Sequence, residues 1–362
     1  MPAKGCVIEE RTNMKNHILV LALGSAMVLS ACGGGGGGGG SSGSGGTTTP
    51  PVTTTPPATS TQSSITDANM VSAASNAYAA TTSVGASSAS LTDILTGVSV
   101  TNVNINTVAP LLMIVKRAYS GNQLLTGVTQ SETQQCKGGG TLVLDGNVSN
   151  TSKLSNGDSL KVTANNCIEG NQSLNGTLSI NFSGVSGDTN TAVFGVTMDS
   201  TFTNFNITSG TDKVGVNGDM KVVLNQTSVG NNTLSLSGNS LKTTEQQGSA
   251  AVVERTVTTY TVTGSTQNNS VNNSAANFGL SGTSPKLGTF SYTVKNLAQF
   301  VTPISTTAAT VPTSGSLIVT GNASSVTATV VSNGVRLDYS ASGNGTITST
   351  KTVAWTDFLS SI

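Results

Sequence analysis

The sequence predicts a mainly β protein: one large antiparallel β domain, built as a meander, a sandwich or a curved half-open barrel, with a short helical segment before it. From about residue 128 onward, apolar and polar residues alternate with a period of two, in segments rich in Thr, Val, Ser and Asn. Asn-Gly and Asp-Gly pairs separate these segments and supply the positive φ that two-residue hairpin turns need. A domain over residues 128–362 is long enough to bury a large core.

The expected strands and turns can be placed along this domain. Strand-like segments are Thr141–Leu144, Ser159–Val162, Thr177–Phe182, Lys221–Leu224, Val257–Val262, Thr289–Val294, Ser316–Thr320, Ser325–Val331 and Val335–Tyr339. Hairpin turns are expected at Asp145-Gly146, Asn156-Gly157, Asn175-Gly176, Asn217-Gly218 and Asn333-Gly334. Because such turns join antiparallel neighbours, they favour an antiparallel sheet over the parallel coils of a β-helix.

Residues 65–127 are expected to hold short helices that pack on the sheet. Asp67–Thr82 is rich in Ala, and its apolar residues recur near helical spacing. Ser90–Leu95 has the composition of another helical turn. In Thr107–Tyr119, an early proline and cations at the end fit a buried helix, although its apolar run Leu111–Val115 is also compatible with a buried strand.

The N-terminal residues have the pattern of a secretory signal peptide. Lys15 precedes an apolar run of twelve residues, Ile18–Leu29. Such a run would rise only about 18 Å as a helix, which is too short for a hydrocarbon core of roughly 30 Å. Cleavage is therefore expected rather than a membrane-spanning helix. Since Glu9 and Glu10 are unusual in a signal peptide, Met14 is a better candidate for the true start.

The segment Leu29-Ser30-Ala31-Cys32 resembles the lipobox of bacterial lipoproteins, because the cysteine follows small residues at the end of the apolar run. The resemblance implies that residues 1–31 are removed, and that Cys32 carries a thioether-linked diacylglycerol and becomes the mature N-terminus. Two or three acyl chains, palmitate among them, would then anchor the protein stably. Gly33 after the cysteine implies the outer membrane under enteric-type sorting. The alternative is an ordinary signal peptide with a chance cysteine.

Residues 32–64 are predicted to form the lipid anchor and a tether. Eight glycines, Gly33–Gly40, are followed by Thr-rich segments with paired prolines. This composition cannot bury enough apolar area to offset the entropy of ordering. As a coil, the tether would span about 30 Å and would hold the domain away from the membrane surface.

Composition disfavours several functional classes. Residues 1–31 contain three of the sixteen Lys and Arg and two of the sixteen Asp and Glu, which leaves a mature chain with thirteen positive and fourteen negative side chains. Nucleic acid is therefore a poor candidate partner. The single histidine, His17, lies in the predicted leader, so catalysis or metal binding by histidine is not expected. No cofactor and no metal site are predicted.

The cysteines predict one disulfide. Cys6 lies in the leader and Cys32 is assigned to lipidation, which leaves Cys136 and Cys167. Two thiols in an exported protein are expected to pair, and the bridge would stabilise the fold by roughly 3–4 kcal/mol. The alternatives, a thiol metal site or a catalytic cysteine, need partner residues that the chain lacks.

Carboxylates are the remaining candidates for catalysis, because pairs of them hydrolyse glycosides. The candidates are Asp145, Asp158, Asp188, Asp199, Asp219 and Asp338. Most lie beside Gly or Asn, where a hydrogen-bonding role in a turn is favoured, and no catalytic residue is assigned. Trp355, the only tryptophan, is expected to close the last strand into the core.

Three functions are compatible with these observations. The favoured one is a lipid-anchored, non-enzymatic envelope protein with a surface, adhesive or structural β domain, bound to the membrane through Cys32 and to an extracellular or envelope protein partner. A periplasm-facing carrier would need a large pocket lined by Leu, Val and Phe for a lipid or another apolar ligand. A hydrolase would need two carboxylates that converge in a groove.

Overall fold

A computed structural model describes residues 62–85, 130–150, 153–169, 172–187, 193–228, 231–267, 270–275, 277–303 and 311–362. All of them belong to one compact unit, Thr61–Ile362. The predicted fold class is confirmed: these residues form fifteen strands in one antiparallel sheet, together with two short helices.

The strands follow one another along the chain with short connections. The first eight are β1 (Gln130–Gln135), β2 (Thr141–Asn147), β3 (Ser159–Glu169), β4 (Gln172–Gly187), β5 (Phe194–Ser209), β6 (Asp212–Ser228), β7 (Asn231–Gln246) and β8 (Val253–Gln267). The others are β9 (Ser270–Ala275), β10 (Phe278–Ser284), β11 (Gly288–Pro303), β12 (Ser314–Gly321), β13 (Ser324–Val331), β14 (Gly334–Ser340) and β15 (Ser349–Val353). The helices are α1 (Met70–Gly85) and α2 (Trp355–Leu359).

All nine predicted strand segments lie within observed strands, which are β2, β3, β4, β6, β8 and β11 to β14. None of these segments lies in β1, β5, β7, β9, β10 or β15. The missed β5 has a clear period-two signal, since buried Met198 and Phe202 alternate with exposed Asp199 and Thr201. The expected dry and wet faces are present along this strand, and we refer to them as the inner and outer faces of the sheet.

The strand order is sequential apart from one shared position. Neighbours pair from β1 to β8, then β10 follows β8, and the order continues from β11 to β15. β9 pairs with the second halves of β8 and β11, whereas β10 pairs with their first halves. β9 and β10 therefore act together as one interrupted strand between β8 and β11.

The helix α1 packs against the sheet. It contacts β8, β9, β12, β13 and β14. Strands lie about 4.8 Å apart, so these contacts extend over roughly 24 Å of sheet, which is about the length of a helix of 16 residues. Buried side chains from both helices and from most strands form a single hydrophobic cluster.

The first helix begins close to its predicted place. The Thr66 backbone N–H donates to Asn69 Oδ1 over 2.8 Å, and the Asn69 N–H donates to Thr66 Oγ1 over 3.3 Å, which is a reciprocal cap. Small residues on the buried face, including Ala73 and Ala77, let the helix approach the sheet closely. The helices predicted at Ser90–Leu95 and at Thr107–Tyr119 lie outside the described residues.

Trp355 packs against the core, as expected, but it does so from a helix and not from the last strand. β15 ends at Val353, and Trp355 is the first residue of α2. Its ring lies 5.4 Å from Tyr78 of α1 and 5.7 Å from Phe358, between ring centroids. Trp355 therefore contacts both helices, because it lies in α2, beyond the end of β15.

Three of the five predicted hairpin turns are wrong. Asp145-Gly146, Asn175-Gly176 and Asn217-Gly218 lie inside β2, β4 and β6. Asp145 and Gly146 are regular members of the ladder and pair with both β1 and β3. The other two pairs lie beside β-bulges. Asn156-Gly157 does form the turn before β3. A hairpin turn also joins β13 to β14, at Ser332-Asn333, and Gly334 is the first residue of β14.

The two Asn-Gly pairs inside strands accommodate bulges in their neighbours. The register places an extra residue in β3, β5 and β7, and the intervening β4 and β6 carry the Asn-Gly pairs. Gly176 and Gly218 have φ of 102° and 128°, and a Cβ there would lie 2.2 and 2.1 Å from carbonyl oxygens of the bulged strands. Glycine at these positions therefore makes room for the bulges.

The asparagines of these pairs bind the bulged backbone. Asn175 Oδ1 accepts a hydrogen bond of 2.8 Å from the N–H of Asn166, and Asn217 Oδ1 accepts one of 3.0 Å from the N–H of Asn204. Both donor residues, Asn166 and Asn204, have positive φ, near 48°–49°. We call this transverse series of bulges across β3, β5 and β7 the bulge line. It bends the long strands and shapes the outer face beside it.

Candidate functional site: a polar groove on the outer face

A polar groove crosses the outer face of the sheet from β4 to β8, next to the bulge line. It encloses about 490 Å³ of space open to water, within the range of ligand sites. Its outward-facing polar residues are Asn181, Asp199, Thr201, Asp219, Lys221, Ser237, Asn239, Thr259 and Thr261, and Ser200, Met220, Gly238 and Tyr260 complete the lining. Hydroxyl, amide and charged groups therefore make up most of the lining.

The floor of the groove is one row of directly opposed residues. Asn181 pairs with Asp199, Asp199 with Lys221, Lys221 with Ser237, and Ser237 with Thr261. These five side chains belong to five successive strands. Because adjacent strands lie about 4.8 Å apart, the row extends for roughly 19 Å perpendicular to the strands. We call these five residues the polar row.

Asp219 fixes the bulge that borders this row. Its carboxylate accepts hydrogen bonds from the N–H of Asn239 (2.8 Å) and the N–H of Ser240 (3.0 Å), and from the Asn239 side-chain amide (3.4 Å). Both oxygens are used, since the two backbone donors bind different ones. Asp219 therefore has a structural role like that of Asn217 and Asn175.

Tyr260 supports the groove from the inner face. Its hydroxyl donates to the backbone oxygen of Asp219 over 2.8 Å. The side chain lies against the inner side of Gly238, where a Cβ would come within 2.7 Å of the tyrosine oxygen. Burial, and secondarily the charge of Asp219, raise the pKa of Tyr260 far above its usual value. Tyr260 therefore remains a protonated donor.

The charges in the polar row balance each other. Lys221 Nζ lies 3.8 Å from Asp199 Oδ1, and both side chains are about half exposed. An exposed pair at this distance contributes at most about 1 kcal/mol to stability. The groove thus presents one positive and one negative group to a ligand, besides the occupied carboxylate of Asp219.

Of the other candidate carboxylates, the three that the structure describes do not line the groove. Buried Asp158 accepts from the N–H and Oγ of Ser149 and from the N–H of Ser155, each at 2.9 Å. Asp338 accepts from Arg336 Nε at 3.0 Å and from Thr350 Oγ1 at 2.8 Å. Asp145 lies in the ladder of β2. Asp188 lies outside the described residues.

Asp199 and Asp219 both line the groove. Asp199 is half exposed and lies beside Lys221, and both oxygens of Asp219 accept hydrogen bonds from amide donors. The groove therefore offers a carboxylate, an ammonium, amides and hydroxyls for contact with a polar ligand.

The predicted disulfide is confirmed. Cys136 and Cys167 are bonded, with their Cα atoms 5.4 Å apart. Cys136 follows β1 and Cys167 lies in β3, so the bond ties the β1–β2 hairpin to the third strand. Backbone hydrogen bonds from Gly138 N–H to Ile168 O and from Ile168 N–H to Gly139 O, both 2.9 Å, join the same two regions.

Cys32, the predicted lipidation site, lies outside the described residues. Within the described part of the chain, neither helix is long and apolar enough to cross a membrane. The same part holds no group of three or more His, Cys, Asp or Glu side chains placed to bind a metal ion.

Comparison with known proteins gave no match: no family model, no curated protein and no solved structure is similar to this chain.

Sequence reasoning identified Asp199 and Asp219 but missed the rest of the groove. Asn181, Lys221, Ser237 and Thr261 each occupy an outward position of a strand, and period-two alternation indicates that much. Nothing local shows that they share one row, because the shared row depends on the register of five strands and on the bulges that shift it.

Proposed function

We propose that this protein is a lipid-anchored lipoprotein of the bacterial outer membrane, whose β domain acts at the cell surface without enzymatic activity, in adhesion or as a structural component. Acyl chains on Cys32 hold it in the membrane, and the tether separates that anchor from the folded unit. The domain binds an envelope or extracellular partner.

The observation that carries this proposal is the placement of Cys32. It follows an apolar run too short to span a membrane, and a tether of Gly, Ser, Thr and Pro comes directly after it. A chain with this order has a removable leader, an attachment point and a spacer. Such a spacer is useful only if the folded domain works away from the membrane surface.

The hydrogen bonds and the ion pair that the carboxylates make support the non-enzymatic part of the proposal. Asp158, Asp219 and Asp338 accept hydrogen bonds that hold neighbouring segments together, and Asp199 pairs with a lysine. These are structural roles.

The carrier alternative has less support. An apolar cavity between the helices and the sheet is lined by Tyr78, Phe300 and Trp355, among others. Its empty volume is about 180 Å³, with no room for a water molecule. Sites for small ligands usually enclose about 300–1,000 Å³, so this cavity is a packing defect rather than a lipid site.

Protease treatment of intact cells tests the proposal. A surface-displayed domain is digested while a periplasmic marker protein survives. Full protection until the outer membrane is permeabilised would contradict surface display and favour the periplasm-facing alternative.

The Cys32→Ala variant is the matched control for the anchor. It should leave the membrane fraction while the domain keeps the circular dichroism spectrum of the wild type. A variant that remains in the membrane fraction would show that the anchor lies elsewhere.

A further inference from the structure

The side chains of the polar row recur at the spacing between neighbouring strands of the sheet. Its five groups are an amide, a carboxylate, an ammonium and two hydroxyls, each on its own strand. Together they offer donors and acceptors at intervals of about 4.8 Å across the strands, in a row that follows the twist of the sheet. A ligand that matches this row must be long, and it must carry hydrogen-bonding groups at a similar interval.

The groove is rigid for a surface site. Asn181, Asp199, Ser237 and Thr261 have few rotatable bonds, so they lose little entropy when a ligand orders them, and Lys221 is the one long side chain of the polar row. The wall is fixed by the Asp219 hydrogen bonds to Asn239 and Ser240, and from below by the Tyr260 hydroxyl. The hydrogen-bonding groups are thus largely positioned before any ligand arrives.

The charged groups of the polar row and the residues that line the groove disfavour several classes of ligand. Asp199 and Lys221 neutralise each other within the row, so a polyanion or a polycation would gain one contact and meet one repulsion. Tyr260 is the aromatic residue among the lining residues, and it is buried, so a flat aromatic ligand finds no exposed ring to stack on. An apolar ligand would leave the row without partners.

We propose that the groove binds a neutral, linear, β-linked glycan, which lies across the strands with about one sugar for each strand. An extended chain of β-linked hexoses advances, for each sugar, by a distance close to the spacing of strands in a sheet. Its hydroxyls both donate and accept, as the row requires. The proposal rests on the proposed envelope function, which would bring the groove close to such polymers.

Isothermal titration of the mature, lipidated protein in detergent micelles tests this inference. The probes are cellohexaose and chitohexaose, with glucose and heparin for comparison. We expect saturable binding of at least one hexasaccharide, much weaker binding of glucose, and no preference for heparin. No saturable binding of either hexasaccharide, or tighter binding of heparin, would overturn the proposal.

A pair of double variants locates the site. Ser237→Ala with Thr261→Val removes two hydroxyls of the polar row and should weaken hexasaccharide binding by roughly five- to tenfold or more. Ser235→Ala with Thr263→Val removes the directly opposed hydroxyl pair two residues along the same strands, outside the groove, and should leave binding unchanged. Equal binding by both variants would place the ligand elsewhere. Circular dichroism confirms that both are folded.

The outcomes separate this inference from the proposed function. A surface-displayed protein that binds neither hexasaccharide would refute only the glycan site. Binding by a protein that cells do not display would refute only the proposed location. Release of shorter sugars from the bound hexasaccharide would confirm the ligand class and contradict the non-enzymatic role, and Asp199→Asn would then be the variant to assay.

Discussion

Gln226 lies on the inner face of β6, and it is almost completely buried. Neither its amide nitrogen nor its amide oxygen has a hydrogen-bond partner within the structure described above. Thr266, two strands away in the same row, also buries an unpaired hydroxyl. Each unpaired buried polar group costs about 1–3 kcal/mol, so the inner face is less stable here than an apolar one would be.

Replacing Gln226 with Leu should therefore raise the free energy of unfolding by about 1–2 kcal/mol, since the volume is similar and the unpaired amide is removed. Urea denaturation of the mature protein measures the change. Gln172→Leu, at an exposed position of β4, is the control and should have little effect. A destabilised Gln226→Leu protein would show that the amide has a partner in solution.

The disulfide should make a measurable contribution to the free energy of unfolding. Because the bond closes a loop over a separation of 31 residues, its removal in Cys136→Ser with Cys167→Ser should lower the free energy of unfolding by about 3 kcal/mol. The backbone bonds between Gly138 and Ile168 should keep the hairpin in place. If reduction of the wild type left the urea midpoint unchanged, the bond would contribute nothing to stability.

The long central strands show where local signals mislead. Asn217-Gly218 has the composition of a hairpin turn, yet it lies in the middle of β6, where Asn217 binds one neighbour and Gly218 makes room for the other. An Asn-Gly pair indicates a position with positive φ, but such a position occurs both in a hairpin turn and in a strand opposite a β-bulge. Period-two alternation continues on both sides of the pair and was the signal against a turn.

Gly218→Ala should therefore be much more destabilising than Gly157→Ala. Both positions have positive φ, but a Cβ at Gly218 would meet the Ser240 carbonyl at 2.1 Å, whereas a Cβ at Gly157 has nothing within 4 Å. We expect a loss of about 2–5 kcal/mol at Gly218 and about 1–2 kcal/mol at Gly157. Equal losses in urea denaturation would mean that β6 relaxes and that the bulge is not fixed.

At the scale of the whole molecule, the fold class could be predicted from the sequence, but the groove could not. Alternation and composition indicated an antiparallel domain, and the position of Cys136 and Cys167 indicated their bond. The polar row instead depends on how Asn181 in β4 and Thr261 in β8 are aligned through three intervening strands. Each bulge shifts that alignment by one residue, so a local pattern cannot supply it.

Two buried tyrosines, Tyr260 and Tyr292, and the partly buried Tyr78 should make the free energy of unfolding sensitive to alkali. Burial raises the pKa of Tyr78, Tyr260 and Tyr292 above that of an unfolded tyrosine, about 10. Above that pH the unfolded chain releases protons that the folded chain keeps, so the free energy of unfolding should fall as pH rises, with no effect of these groups below it. Urea midpoints measured across this range test the prediction.

Tyr260→Phe separates this effect from the titration of lysines. The variant should show a shallower alkaline decline than the wild type, because one of the three groups no longer ionises in the unfolded chain. Its stability at neutral pH should be lower by about 1 kcal/mol, through loss of the bond to Asp219. An alkaline decline equal to that of the wild type would contradict the assigned burial of Tyr260.

The anchor on Cys32 underlies the proposed place of the protein in the cell, and the mass of the mature N-terminal peptide tests it most directly. Protein purified from the membrane fraction should begin at Cys32, and its first peptide should be heavier than the bare sequence by a diacylglycerol thioether and an amide-linked acyl chain. A mature N-terminus at any other residue, or an unmodified Cys32, would contradict lipid anchoring.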